Sequence, residues 1–186
     1  MTASVLLLPG WQNSGPGHWQ SRWEALYGDL RVDQHEWMRP LRGDWVTRLE
    51  EVLLEQAARQ RAPVLLAAHS LGCQLVAAWA AHSRHTALVQ GALLVAPGDP
   101  ACAAVQGLLH SWLPVVRQAL PFPSILVGSH DDPYCSFADA QALAQAWGSC
   151  FIDHGHRGHI NADSGLGDWP EGRRWLDGLR QPSNAS

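Results

Sequence analysis

The sequence contains no lysine; all 13 of its basic residues are arginine. That absence excludes a Schiff-base lysine, a Ser-Lys dyad, a phosphate-loop lysine and a kinase-type lysine. Cysteine is sparse: Cys73, Cys102, Cys135 and Cys150 show no CxxC or finger spacing, and they read as reduced thiols of a cytoplasmic protein. No apolar run approaches the roughly 18 residues of a membrane span. The apolar start Met1–Pro9 lacks a positive n-region, and Pro9-Gly10 stops it too early for a signal peptide. There is no basic excess either. The net charge of -4 leaves nucleic acid and anionic membranes without an electrostatic footprint. What is present is ordinary globular material, with 186 residues, 46% hydrophobic and 16% charged, the size of one domain. Residues 1–180 read as that domain and residues 181–186 as a frayed tail. Tyrosine and methionine occur twice each, whereas tryptophan occurs ten times; most of those rings are expected in the core and some at a pocket.

Short apolar runs alternate with stretches of helical period. Ser4–Leu8 is a continuous apolar run ended by Pro9-Gly10, as a strand buried on both faces would be. A helical pattern follows over His18–Leu26, and Arg31–Trp37 reads as a weak second strand. Asp44 is the expected cap of a strong amphipathic helix reaching about Arg59. Pro63–Ala68, Gly91–Ala96, Ser124–Gly128 and Cys150–Asp153 complete six strands. Helices are expected over Leu71–Ala81, Phe137–Trp147 and Glu171–Leu179, the last entered through Trp169-Pro170. This alternation predicts an α/β fold, a six-stranded parallel sheet of order 2-1-3-4-5-6 with helices on both faces. Asp99–Leu120 fits least well and reads as a helix or a small cap over the C-terminal sheet edge.

The sharpest local signal is Leu65-Leu66-Ala67-Ala68-His69-Ser70-Leu71-Gly72-Cys73, in which a strand runs through small-x-Ser-x-Gly into a helix. Such a turn is tight, so the residues two away from the serine must be small. It lifts the hydroxyl above the sheet and sets a backbone N–H beside it at a helix N-terminus. A serine nucleophile needs a base and a group to orient that base. In the doubly wound hydrolase fold these follow in the order serine, acid, histidine, at the ends of later strands. The fifth strand here ends in Gly128-Ser129-His130-Asp131-Asp132-Pro133, and the sixth is followed by Asp153-His154-Gly155-His156-Arg157-Gly158-His159. Spacing alone leaves Asp131 and Asp132 both open as the acid.

With these segments the chain resembles the small serine hydrolases related to retinoblastoma-binding protein 9, within the α/β-hydrolase superfamily. The resemblance covers nearly the whole length. It rests on Leu8-Pro9-Gly10-Trp11 with Ser14, on His18-Trp19-Gln20 and Trp23, on His69–Cys73, on Ser129–Tyr134, and on Gly158-His159-Ile160-Asn161. It implies Ser70 as nucleophile, His159 as base and Asp132 as acid, with an oxyanion hole from the N–H groups of Leu71 and Trp11. It supplies a mechanism and no metabolite. A protein-binding role is proposed for part of that family, but the Leu-x-Cys-x-Glu pocket-binding pattern is absent, since Leu71-Gly72-Cys73-Gln74-Leu75 ends in leucine.

The expected activity is hydrolysis of a small ester or thioester through an acyl-enzyme on Ser70, with no cofactor and no metal. His18, Trp19 and Trp112 are expected at the pocket, alongside Trp11. Two other readings compete. One is a catalytically vestigial interaction module of the same fold. The other is a metal-dependent hydrolase that uses the H-x-H-x-x-H cluster His154, His156 and His159. The serine reading needs only one of these histidines and leaves His154 and His156 as solvated loop residues. His69 is expected to pack under the serine turn, and Cys73 to be a buried small side chain.

Overall fold

A computed structural model describes residues 3–59, 62–105 and 107–180; the expected tail at 181–186 lies outside them. Six parallel strands form one sheet in the order β2-β1-β3-β4-β5-β6, the order expected from the sequence. They are β1 (Val5–Leu8), β2 (Leu30–Arg31), β3 (Val64–His69), β4 (Val89–Val95), β5 (Ser124–Gly128) and β6 (Cys150–Asp153). Five helices connect them: α1 (Trp19–Tyr27), α2 (Arg42–Arg59), α3 (Leu71–Ala80), α4 (Phe137–Trp147) and α5 (Pro170–Gly178).

The apolar strands are buried on both faces because each successive side chain meets a different layer of helices. Leu6, Leu8, Leu66 and Ala68 pack with α2, α3 and α4, through Leu49, Leu53, Val76, Leu143 and Trp147. Val5, Leu7, Leu65 and Ala67 pack on the other side with α1 and α5, through Trp19, Trp23 and Leu176. Five tryptophans, at 19, 23, 45, 79 and 147, rank among the largest fully buried side chains. Their indole N–H groups still find acceptors, as buried indoles generally do: that of Trp45 donates to the Glu36 carbonyl at 3.0 Å and that of Trp147 to the Val116 carbonyl at 2.8 Å.

Three expectations are corrected. The second strand is Leu30–Arg31 and not Arg31–Trp37. It is an edge strand paired with β1 alone. After the Val32 N–H bonds to the Leu7 carbonyl at 2.9 Å, the chain leaves the edge and lays Trp37 on Trp45, ring centres 5.4 Å apart. The second correction is at α2, which begins at Arg42, so Asp44 lies inside its first turn, where a carboxylate favours the helix dipole without capping it. Finally, the helix alternative for Asp99–Leu120 does not hold: among the described residues of that segment there is no α-helix, only turns and one 3-10 turn, His110–Trp112. This irregular segment is held against the start of α2, where the indole of Trp112 donates to the Pro40 carbonyl at 3.0 Å.

Candidate active site

All the site residues expected from the sequence, except those noted below, gather beyond the C-terminal ends of the strands, where open α/β sheets bind ligands. Ser70 occupies the single step between β3 and α3. Its backbone has φ 54° and ψ -120°, a left-handed conformation that costs a non-glycine residue roughly 1–3 kcal/mol. The strain is held by the surroundings: the Ser70 N–H donates to the Val95 carbonyl at 3.0 Å, and the Ser70 carbonyl accepts from the Cys73 N–H at 3.0 Å. The hydroxyl has little room on the β4 side. A Cβ on Gly98 would lie 2.9 Å from Ser70 Oγ, so any side chain there would displace the hydroxyl. Gln74 secures that loop by donating to the Gly98 carbonyl at 2.8 Å.

The loops after β5 and β6 bring Asp132 and His159 to the serine. His159 Nε2 lies 2.9 Å from Ser70 Oγ, and His159 Nδ1 lies 2.9 Å from each carboxylate oxygen of Asp132. A carboxylate can only accept, so Nδ1 carries the proton and Nε2 is left to accept from the serine hydroxyl. Asp132 also accepts the Tyr134 N–H at 2.9 Å. The two loops are tied together elsewhere: Asp131 accepts from the Gly158 N–H at 2.8 Å, and Ser129 Oγ from the Arg157 N–H at 2.9 Å.

His69, at the end of β3, is fully buried, and burial holds its ring well below the ordinary histidine range. It is therefore neutral, and its Nε2–H donates to the His159 carbonyl at 2.8 Å, pinning the histidine loop to the strand that carries the serine. Cys73 is one turn into α3, with a thiol that burial pushes far up; it is no thiolate nucleophile.

A cavity of about 290 Å³ opens beside Ser70. Trp11, Val105, Leu109 and Tyr134 give it apolar wall, whereas Asn13, His18, Asp99 and Asn161 give it polar wall. Trp11 belongs to the loop after β1, which the bond from the Asn13 N–H to the Gly10 carbonyl closes at 3.1 Å. Trp19 and Trp112, expected at this pocket, are elsewhere. Both are almost wholly buried; Trp19 packs on Trp23 and Trp169, and Trp112 packs on Trp45. Their hydrophobic surface was satisfied by other tryptophans, a choice that composition does not reveal.

The three histidines of the H-x-H-x-x-H cluster are drawn apart. His154 is not a solvated loop residue: its ring sits 5.7 Å from that of Trp169 and 5.6 Å from that of Trp175. His156 stacks on His130 at 5.2 Å, while His159 faces Ser70. Among the described residues no group of three or more His, Cys, Asp or Glu side chains converges as metal ligands would. The sequence reading missed Gly98, Asn13 and Tyr134, the last with its ring 4.7 Å from that of His159. Pro97-Gly98 at the close of β4 was the available signal for the first, and the Ser129–Tyr134 segment for Tyr134; Asn13 had none.

Comparison with known proteins agrees with this architecture. No curated protein matches the chain at a significant level. Among solved structures, a YdeN-like hydrolase from Pectobacterium atrosepticum is 31% identical with a TM-score of 0.81, over 96% of this chain and 91% of that one. The ydeN gene product of B. subtilis is 20% identical with a TM-score of 0.75, over 96% and 98% of the two chains. An esterase from a Rhodococcus species shares the fold at 15% identity and a TM-score of 0.65, over 96% and 91%. The family model for serine hydrolases matches residues 5–178, the whole span from the first strand to the last helix, and by that match this chain belongs to the serine hydrolase family.

Proposed function

We propose that the protein hydrolyses small carboxylic esters or thioesters through an acyl-enzyme on Ser70. One observation carries the reading: the unbroken relay of 2.9 Å contacts from Ser70 Oγ through the His159 ring to Asp132. Ser70 Oγ attacks the carbonyl carbon of the substrate as its proton passes to His159 Nε2. Asp132, nearly enclosed, stabilises the imidazolium through Nδ1–H. The negative oxygen is received by the N–H groups of Leu71 and Trp11. Leu71 is the first residue of α3, so its N–H has no partner within the helix. Collapse expels the alcohol or thiol, which takes the proton from His159. Water, activated by the same ring, then releases the acid.

Within the serine hydrolases we assign the chain to the small group related to retinoblastoma-binding protein 9, on the segments around Trp11, His18-Trp19-Gln20 and Gly158-His159-Ile160-Asn161. Four free cysteines support a cytoplasmic setting. Among the described residues no helix is long and apolar enough to cross a membrane. Labelling with a fluorophosphonate tests the reading. The wild type forms one adduct, which mass mapping locates on Ser70, and Ser70→Ala forms none. A folded wild-type protein that takes no adduct overturns the enzyme reading in favour of an interaction module.

A further inference from the structure

Among the described residues that line the cavity beside Ser70, the catalytic histidine apart, one carries a charge that the hydrolytic steps do not use: the carboxylate of Asp99. Asp99 follows Gly98, where a Cβ would meet the Ser70 hydroxyl, so it stands one position from contact with the nucleophile. Two bonds to backbone hold it there. Its N–H donates to the Tyr134 carbonyl at 3.0 Å, and its Oδ1 accepts the Ala101 N–H at 2.9 Å. One N–H is far less than a carboxylate can accept, and among the described residues Asp99, half-buried, joins none of the ion pairs. The rest of the wall supplies no counter-charge. His18 and His69 are kept neutral by burial, and no arginine lines the cavity among the described residues. Arg31, bonded to Asn13, is already paired with Glu24 at 2.7 Å. What the wall does supply is two aromatic rings, Trp11 and Tyr134. The Trp11 N–H is taken up by the Met38 carbonyl at 2.9 Å, so the indole has only its π surface left to offer a ligand.

We infer that the substrate is a cationic ester, one whose alkylated ammonium group is received by Asp99 and the aromatic wall of Trp11 and Tyr134. A carboxylate attracts such a nitrogen by charge, and an aromatic ring attracts it through its quadrupole. Both attractions are stronger in a partly shielded cavity than in open water. A carboxylate or phosphate substituent is repelled by Asp99 and meets no cation that offsets the repulsion. A plain alkyl chain takes water from Asp99 and returns nothing for it. Val105 and Leu109 give the methylenes that join the nitrogen to the ester an apolar wall. The substrate class is an ammonium-bearing ester of a size that fits about 290 Å³. The nitrogen belongs to the acyl part or to the alcohol part, and the assay below tells the two apart.

This inference rests on the hydrolase reading, and the two fail separately. Ser70 labelling by fluorophosphonate decides the reading. Selectivity within two ester pairs that differ by nitrogen for carbon decides the inference. On the acyl side, 4-nitrophenyl 4-(trimethylammonio)butanoate is compared with 4-nitrophenyl 5,5-dimethylhexanoate. On the alcohol side, 2-(trimethylammonio)ethyl butanoate is compared with 3,3-dimethylbutyl butanoate. Asp99→Asn keeps the size of the side chain and the acceptor for the Ala101 N–H and removes the charge. The quantity read is the cationic-to-neutral ratio of kcat/KM, and the intrinsic reactivities of the two esters cancel when that ratio is compared between enzymes. In at least one pair the wild-type ratio exceeds the Asp99→Asn ratio by about tenfold at low ionic strength, the scale of a shielded charge and π attraction. The wild-type ratio also shrinks as salt is raised, because a half-buried carboxylate is still partly screened; this arm needs no variant. Equal ratios in the two enzymes for both pairs overturn the inference while Ser70 is still labelled. So does a wild-type ratio that is indifferent to salt in both pairs.

Discussion

Asp131 and Asp132 are neighbours with different surroundings. Asp132 is enclosed against the His159 ring, its side chain 3% exposed. Asp131 is exposed and accepts the Ser129 hydroxyl at 2.8 Å and the Gly158 N–H at 2.8 Å. Those two bonds, the hydroxyl foremost, hold its carboxyl below the usual range. A depressed carboxylate stabilises the fold above its unfolded pKa, and that contribution is lost as the pH falls through its folded value. Asp132→Asn should lower kcat by about 10³–10⁴, because the imidazole loses the anion that sets its tautomer. Asp131→Asn should keep most of the activity and lower the melting temperature, by loosening the tie between the acid and histidine loops. Steady-state kinetics on the two folded variants, with thermal melts, separate the roles; the reverse ranking would transfer the orienting role to Asp131.

At the scale of the elements, the site depends on how closely α3 approaches β1. A Cβ on Gly72 would lie 2.2 Å from the Leu8 carbonyl oxygen, so the first turn of α3 rests directly on backbone. The small residue two positions after the serine is thus a packing requirement as much as a turn requirement. Gly72→Ala must push the helix away and take the strained Ser70 with it. Overpacking of this kind costs about 1–3 kcal/mol, or about 2–4 °C of melting temperature per kcal/mol at this size. Calorimetry should show that loss together with slower Ser70 labelling. An unchanged labelling rate would mean that the turn does not depend on the α3–β1 contact. At the N-terminal edge of the sheet, α5 is anchored to the loop before β2 by Arg173, which lies 2.5 Å from the carboxylate of Asp29 and 4.0 Å above the Tyr27 ring.

Across the whole molecule, several imidazoles are buried neutral. Burial lowers the pKa of His18 from 6.5 to about 3, holds that of His69 well below the ordinary value and depresses that of His154. In the unfolded chain all three take up protons as the pH drops through 6.5, whereas the folded protein resists. Stability is therefore complete above the unfolded value and lost on acidification, by up to about 1.4 kcal/mol per pH unit for each of the two deeply buried rings, His18 and His69, with His154 acting in the same direction. Asp29, raised chiefly by burial, works in the opposite direction but only toward the acidic end. Urea unfolding at pH 7.5, 6 and 5 should give progressively lower stability, and His18→Asn should flatten the dependence. A flat wild-type profile would mean that these rings are protonated in the folded state.

Strand number, sheet order and the serine turn were legible along the chain because each depends on local punctuation: Pro9-Gly10, Pro97-Gly98 and an apolar run ending at small-x-Ser-x-Gly. The strands are nearly all apolar, and continuous apolar runs with helices between them admit few arrangements other than a buried parallel sheet. The edge strand β2 was misjudged because an edge has one partner, and how far pairing continues depends on where the next loop packs. Trp19 and Trp112 depart from the expected pocket for a related reason. A large ring has no period that says which cavity it fills, and Trp19 and Trp112 found other tryptophans instead of the pocket. The identical-looking histidines at 154, 156 and 159 diverge only when the loop after β6 folds, sending one ring to Trp169 and Trp175, one to His130 and one to Ser70. His18 is the clearest case: a helix-start histidine in one dimension becomes, once β3, α1 and the cavity close around it, a neutral donor with one nitrogen committed to the backbone and the other without a partner.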